Sequence, residues 1–301
     1  MNDEVDSHAR HAAIPSLSTR GWHMNNNVSV VRGTTPKFDV DELRRGYTDE
    51  GFCVIPELFP SELVAEAAAA AEAVAEGRTD TGMQPRIRER EAGNGSQRLI
   101  KIAEPHNASR ALRALITSPE PWRAIAAVTG ARMLQVWAVD LFIKRPVSTG
   151  HANIGWHQDG PYATYWKGDI FTVWIALSEV STDSSPLRYV PGSHRLGPVG
   201  KADLFHTDLD LAGAGLALPT GFTWTEVAAE VPAGGIAMHH RDTLHASGPN
   251  LSSQSRISLA VRIRTDRCEL LSEARQVAHL TDGELAPVVY DRTSETDHAK
   301  A

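Results

Sequence analysis

From Ile154 to Ile263 the chain is a succession of short strand-like runs, at 171–177, 187–190, 224–231, 236–239, 243–246 and 257–263, separated by Gly, Pro, Ser and Asp turns. Even spacing of short strands with this punctuation predicts an antiparallel barrel or sandwich. The upstream pattern differs. A short helix is expected over 38–51 and a buried strand at Phe52-Cys-Val-Ile55 before Pro56. A longer helix should start at Ser61 as N-cap, carry Leu63, Ala67, Ala70 and Val74 on one face, and stop at Gly77. A strand at 98–102, helices at 108–117 and 119–129, and a long strand at 133–143 follow. Helices before the sheet, not alternating with it, make the class α+β with a mainly β core. Residues 1–36 read as an arm and 37–289 as one domain, helical over about 37–130 and barrel over about 131–265. Residues 290–301 read as a tail, and the polar stretch 78–97 as a loop whose Arg86, Arg88 and Arg90 are solvated.

Charge and cysteine content narrow the function classes. A net charge of −7 gives no general attraction to nucleic acid or anionic lipid. Two cysteines, Cys53 and Cys268, suffice for neither a disulfide framework nor a Cys-rich zinc site. No apolar run reaches membrane-span length, and the opening Met1-Asn-Asp-Glu-Val-Asp lacks the order of a signal peptide. The expectation is a cytoplasmic protein acting on a small molecule, without nucleic-acid or membrane partners.

The stretch Gly155-Trp-His157-Gln-Asp159-Gly-Pro-Tyr162 carries the first chemical signal. On a strand, residues two apart share a face, so His157 and Asp159 would present an imidazole nitrogen and a carboxylate oxygen to one point. A third ligand is needed, and Met238-His239-His240-Arg-Asp-Thr-Leu-His245 offers three histidines. His245 is the choice; adjacent His239 and His240 point opposite ways on a strand and are read as structural. Two imidazoles and one carboxylate on one face of iron(II) leave three positions open, the facial triad of non-haem iron oxygenases.

Arg256 extends that logic. A guanidinium on a barrel strand is a bidentate partner for a carboxylate, and burying it without one is costly. If a 2-oxo acid chelates the metal through its ketone and C1 carboxylate, Arg256 supplies the cation for its far carboxylate. Ser258 shares a face with Arg256, and Ser247 with His245, where each could add a hydroxyl.

These residues, with Gly46-Tyr-Thr-Asp-Glu-Gly-Phe-Cys-Val-Ile-Pro-Glu-Leu, Val173-Trp-Ile-Ala-Leu and Tyr189-Val-Pro-Gly-Ser-His194, resemble the phytanoyl-CoA dioxygenase-like family from Tyr47 to Arg264. The resemblance implies a double-stranded β-helix, the cupin-type jelly-roll barrel, with N-terminal helices packed against it. It implies Fe(II) as cofactor, 2-oxoglutarate and O2 as co-substrates, and a role for Lys101, Trp174 and Ser247 in holding 2-oxoglutarate. Gln135, on the long strand before the site, is a further candidate contact. One departure is visible: family members often carry Asn-Gly ahead of the Leu-Arg-x-x-Pro-Gly-Ser-His run, where this chain has Asp183-Ser-Ser-Pro-Leu-Arg-Tyr. Related halogenases lack the carboxylate that Asp159 supplies, so its presence favours hydroxylation.

Trp156, Tyr162 and Tyr165 surround the metal motif and are the candidate substrate contacts, with 78–97 and 196–222 as candidate lids. No ending or basic cluster suits an acyl-CoA, which leaves a natural-product-type metabolite, oxidised at a C–H bond as 2-oxoglutarate becomes succinate and carbon dioxide. Two alternatives belong to other classes. A cupin-type barrel could hold zinc or nickel, but Arg256 would then have no purpose. A non-catalytic binding module would be expected to have lost one of His157, Asp159, His245 or Arg256.

Overall fold

The computed structural model describes residues 38–90, 98–148, 152–200, 209, 216–272 and 277–292. Two antiparallel sheets face each other. The larger one contains β1 (Phe52–Ile55), β2 (Ile87–Arg90), β3 (Leu99–Ala103), β4 (Met133–Lys144), β6 (Trp166–Ala176), β9 (Ile236–His240) and β11 (Arg256–Leu270), in the spatial order β1-β9-β6-β11-β4-β3-β2. The strand β12 (Val288–Asp291) pairs with the start of β4. The smaller sheet runs β5-β10-β7-β8, from Ile154–His157, His245–Ser247, Leu187–Tyr189 and Val227–Ala229. Helices α1 (Val40–Glu50), α2 (Ser61–Ala75), α3 (Arg110–Ile116) and α4 (Pro119–Thr129) precede most of the strands. The architecture is a mainly β jelly roll with N-terminal helices against the large sheet.

Period-two alternation decides what each face of the large sheet does. Ile257, Leu259, Val261 and Ile263 of β11 join Leu141 and Ile143 of β4, Val173 and Ile175 of β6, and Met238 of β9 in one buried cluster. The apolar faces of α2 and α4, including Val64, Ala67, Trp122 and Ile125, close over it. The intervening residues face the interior between the sheets: Arg256, Ser258, Ala260 and Arg262 on β11, with Phe142, Thr172, Trp174 and His239 on neighbouring strands. The outer face is hydrocarbon and holds the fold together; the inner face carries polar groups at positions a sheet normally fills with core.

One irregularity breaks this alternation. Arg262 pairs with Ala138 but Ile263 with Val136, so Trp137 is an extra residue in β4. Such a bulge turns one side chain against the regular pattern. Trp137 accordingly lies on the inner side with Ala163, Trp166 and Ile170, whereas Val136 and Val139 stay in the outer cluster.

Several elements differ from the sequence expectation. Ser61 is the first helical residue, not the cap: Pro60 holds the N-cap position and gives no side-chain bond. The segment 87–90, within the stretch read as a loop, pairs with β3 as an edge strand; its single apolar residue gave no alternation to read. The last long strand continues to Leu270 through a register shift between Arg264 and Cys268. β12 runs across the boundary at 289/290 between the stretch read as the domain and the stretch read as a tail. The expected arm at 1–36 lies outside the described residues, as do 91–97 and most of 201–215 in the candidate lids.

Because Leu259 is fully buried in the outer cluster, Leu259→Ala should cost about 2–5 kcal/mol, read as a lowered midpoint in urea unfolding with unchanged slope. A loss below about 1 kcal/mol would mean that this face is not the core.

Candidate metal centre and the cavities beside it

β5 and β10 are antiparallel neighbours with His157 directly opposite His245, which puts the two imidazole rings 4.0 Å apart. Asp159 reaches them by another route than the one expected. β5 ends at His157, and Asp159 turns into a single 3-10 turn at Gly160–Tyr162. Gly160 permits that turn: its N–H donates to the Arg241 carbonyl at 2.8 Å, and a Cβ there would lie 2.3 Å from Asp242 Oδ1. One ligand atom from each of His157, Asp159 and His245 falls within 4.8 Å of the others.

Hydrogen bonds set which atoms can bind metal. The Nδ1 atoms of His157 and His245 lie 2.7 Å and 2.9 Å from the carbonyls of Gly155 and Thr243, so each donates N–H there and keeps its Nε2 lone pair. Burial lowers the proton affinity of both rings. They are neutral imidazoles, the form a metal takes. His239 sits 4.2 Å from His245, ring to ring, yet is arranged the opposite way. The Tyr189 hydroxyl is 2.9 Å from its Nδ1 and donates to it, so Nε2 carries a proton toward Asp159 Oδ2 at 3.3 Å. A ring that donates to the carboxylate is no ligand. Thr172 donates to the same oxygen at 2.5 Å, which leaves Oδ1, 3.9 Å from His157 Nε2, for a metal. Burial alone would raise the Asp159 carboxyl; the His239 bond and nearby Arg262 outweigh it and hold it well below the ordinary range.

A small cavity separates this cluster from Arg256. It measures about 50 Å³, the liquid volume of roughly two waters, and is lined by His157, Asp159 and His245 together with Trp174, Ser247 and Arg256. Arg256 is 1% exposed. Its guanidinium lies 5.2 Å from the Trp174 ring centroid and donates to Ser258 Oγ at 2.7 Å and Ser185 Oγ at 3.4 Å, while Nε has no partner among the described residues. Burial with no carboxylate beside it pulls this group down to about 9. An unpaired buried cation facing a neutral-His and carboxylate cluster fits a small dianion that chelates a divalent metal. Lys144 donates at 2.7 Å to Ser247 Oγ, which leaves that hydroxyl's hydrogen for a ligand.

Beyond the metal cluster lies a second cavity of about 250 Å³, which shares His157, Asp159, Thr172, Phe142 and Arg262 with the first. Tyr162 and Tyr165 line it, and so does Lys101, with Nζ 4.0 Å from Asp140 Oδ2; Lys101 is on the wall of this larger cavity, not the smaller. Trp156 is elsewhere. It faces the opposite side of β5 from His157, in a cluster with Val190, Leu244 and Ala246, edge-on to Trp224 and under Arg188. Gln135 also lines neither cavity: its amide donates to the carbonyls of Leu280 and Ala286, and its oxygen accepts from Arg264.

Other residues at or near the cavities are not among the sequence candidates. Ser185, at the rebuilt turn after Asp183, adopts φ 68 and approaches Arg256; the missing Asn-Gly was the clue. Glu104 and Arg86 also line the larger cavity, although Arg86 read as solvated. Burial pushes the Glu104 carboxyl up to about 7, against the pull of Arg86.

Residues 47–258 match the family model described as phytanoyl-CoA dioxygenase (PhyH). A probable alpha-ketoglutarate-dependent hypophosphite dioxygenase of Stutzerimonas stutzeri is 25% identical over 229 residues, 73% of this chain and 77% of that protein. Among solved structures, the non-haem alpha-ketoglutarate-dependent carbocyclase SnoK of nogalamycin biosynthesis is 26% identical with a TM-score of 0.64, covering 82% of this chain and 95% of its own. The epimerase SnoN, solved with Fe3+, alpha-ketoglutarate and a nogalamycin compound, has a TM-score of 0.63 at 19% identity, covering 77% and 86%, and supports the fold.

Two expected outcomes follow from the electrostatics. A divalent ion held by the three ligands stabilises the native state by about 2.7 kcal/mol at a hundredfold excess over its Kd. Anaerobic Co(II) should therefore raise the melting temperature of the wild type and not of His245→Ala; equal shifts would dismiss the cluster as a metal site. Glu104, raised from 4.5 to about 7 in the fold, opposes folding when ionised, fully above about pH 7 and not below about pH 4.5. Glu104→Gln should thus be more stable than the wild type at pH 8, by about 2–3 kcal/mol, and no more stable at pH 4, as measured by urea unfolding at both.

Proposed function

The chain belongs to the phytanoyl-CoA dioxygenase family, and we propose that it is an iron(II)- and 2-oxoglutarate-dependent oxygenase of a natural-product-type metabolite. The proposed reaction is hydroxylation at a C–H bond, coupled to conversion of 2-oxoglutarate to succinate and carbon dioxide. One observation carries this reading: Arg256 is buried with no carboxylate partner among the described residues, across a small cavity from two neutral imidazoles and a carboxylate. A zinc or nickel cupin gives that cation no function. Both the hypophosphite dioxygenase relative and the carbocyclase SnoK bear names that state alpha-ketoglutarate dependence.

His157, Asp159 and His245 would hold the metal. Arg256 would pair with the distal carboxylate of 2-oxoglutarate, with Ser258 fixing one guanidinium edge and Trp174 its face. Ser247, turned by Lys144, would donate its hydroxyl hydrogen to the co-substrate. When bound, iron(II) and 2-oxoglutarate supply the two-electron oxidation by dioxygen. The chain's own part is orientation: Thr172 and His239 occupy Asp159 Oδ2 and leave one oxygen for the metal, while the aromatic wall of the larger cavity excludes water around the substrate.

The relative sizes of the two cavities support the substrate class. About 250 Å³ corresponds to the liquid volume of roughly eight waters, more than an anion the size of hypophosphite would fill. Asp159 occupies the position that a halide would need, which favours oxygen transfer. Similar folds serve an epimerase and a carbocyclase, so placement of the substrate carbon is what would select hydroxylation here.

Anaerobic titration with iron(II) and 2-oxoglutarate should give a weak visible charge-transfer band in the wild type and none in His157→Ala. Arg256→Ala should need at least about 30-fold more 2-oxoglutarate, the low end of the 2–5 kcal/mol for truncating one partner of a buried charge pair, with partial recovery in Arg256→Lys. No band at any concentration would sink the oxygenase reading.

A further inference from the structure

The larger cavity contains a polar defect that the proposed chemistry leaves unused. Glu104 follows β3 in the left-handed region, φ 56, and is 4% exposed, yet neither carboxyl oxygen has a hydrogen-bond partner among the described residues. Its nearest charged or titratable neighbours lie beyond hydrogen-bond reach, with Arg86 Nη2 3.8 Å from Oε1 and His106 Nδ1 3.7 Å from Oε2. The His106 Nε2–H points to the Leu285 carbonyl at 3.1 Å, so Nδ1 offers Glu104 a lone pair and no proton. Unsatisfied burial is unfavourable, and a left-handed non-glycine backbone adds strain, a combination that concentrates at ligand sites.

The other polar groups of the cavity define what is missing. Arg262 donates to Asp140 at 2.6 Å, Arg241 donates to the carbonyls of Trp166 and Gly160, and Lys101 lies near Asp140. Arg262 and Arg241 are engaged, and Arg86 stands 3.8 Å from Glu104; among the described residues the buried side-chain groups of this wall without a hydrogen bond are the Glu104 carboxyl and the indole N–H of Trp137, which the bulge in β4 brings into it. A hydroxyl suits either group, since it donates to a carboxylate and accepts from an indole. An ammonium would satisfy only Glu104 and would enter a wall that already carries Arg86, Lys101 and Arg262. Trp137 and Tyr165, edge to face at 5.9 Å, offer flat surface for a ring. Glu104 and Arg86 also border an outer groove with Met83, Gln84 and Asn107, so this carboxyl stands where the cavity meets the surface.

Resting on the reading of this cavity as the substrate site, we propose that Glu104 is a specificity-determining residue that accepts a hydrogen bond from a hydroxyl of a neutral, hydroxylated ring in the substrate. Glu104 touches the substrate away from the carbon that reacts. Its loss therefore changes which molecules bind, while the metal ligands and Arg256 keep their partners.

The test uses the full chain without metal and three probes: phenyl β-D-glucopyranoside, its tetra-O-methyl ether, which has the same ring but no donors, and 2-phenylethylamine. Dissociation constants come from saturation-transfer NMR on the wild type, Glu104→Gln and Glu104→Leu, with thermal melts to establish that each variant is folded. At pH 8, where Glu104 is ionised, the glucoside should bind the wild type about tenfold more tightly than the ether, the scale of one hydrogen bond to a charged group. The gap should persist in Glu104→Gln, whose amide oxygen still accepts, and close in Glu104→Leu. Equal binding of glucoside and ether in the wild type, binding of neither, or a gap that survives in Glu104→Leu overturns the proposal. Preference for the amine that is lost in Glu104→Gln also overturns it, in favour of charge recognition. Because no iron or 2-oxoglutarate is present, the result stands apart from the charge-transfer titration, and either reading can fail alone.

Discussion

A guanidinium buried with no carboxylate beside it among the described residues is the constraint around which the interior is arranged. Removing such a charge from water is unfavourable by several kcal/mol unless neighbouring groups recover it. The fold recovers part: Trp174 lies under the Arg256 plane, and Ser258 and Ser185 accept two of its hydrogens. It leaves the rest for a ligand. The same requirement explains the small residue beside it on β11, since Ala260 lines the narrow cavity where a larger side chain would fill the space between Arg256 and the metal cluster. Stability and function are in tension at this point, and the outer face of the sheet supplies the hydrocarbon burial that offsets it.

Histidine selection shows the same principle at finer scale. Three imidazoles pack within a few ångströms of Asp159, and proximity alone does not separate ligand from support. The partner of Nδ1 does. A backbone carbonyl as acceptor leaves Nε2 with a lone pair in His157 and His245, whereas the Tyr189 hydroxyl as donor leaves Nε2 with a proton in His239. Two neutral ligands and one carboxylate braced on a single oxygen then give a donor set with a defined charge, which suits a divalent ion with positions to spare.

Much of this was legible in the sequence, and the reasons are physical. Alternation in Arg256-Ile-Ser-Leu-Ala-Val-Arg-Ile263 puts every second residue on one face, so the placement of Arg256 with Ser258 follows from period two alone. His157 and His245 were recoverable because strands of opposite direction bring distant residues opposite each other. Asp159 was identified for a reason the structure replaces: its side chain meets the metal cluster through a turn, not through strand alternation. Trp156 was misplaced by the converse error, since an aromatic beside a ligand on a strand points away from it. Trp137 and Glu104 were invisible because a bulge and a left-handed residue leave no mark in a pattern of apolar and polar letters. Gln135 was read as a contact from its strand position, but the carbonyls that occupy its amide lie some 150 residues away, in a segment with no periodicity to place it.

The two cavities meet at the metal cluster, and their different polarity has a consequence for how the site discriminates. The narrow end is specified by charge, with one cation and two hydroxyls in fixed positions, and admits one small dianion. The wide end is specified by shape and by unmatched hydrogen-bonding groups at its rim, so side-chain exchange there can alter the substrate without disturbing the centre. Ala138, Ala163 and Ile170 line that wide end beside the aromatic residues. On the proposed reading, such residues would govern how deep a ring can sit and therefore which carbon stands over the metal. Reaction type would then be a matter of placement in the wide cavity, and the residues that line it are the ones that motif spacing says least about.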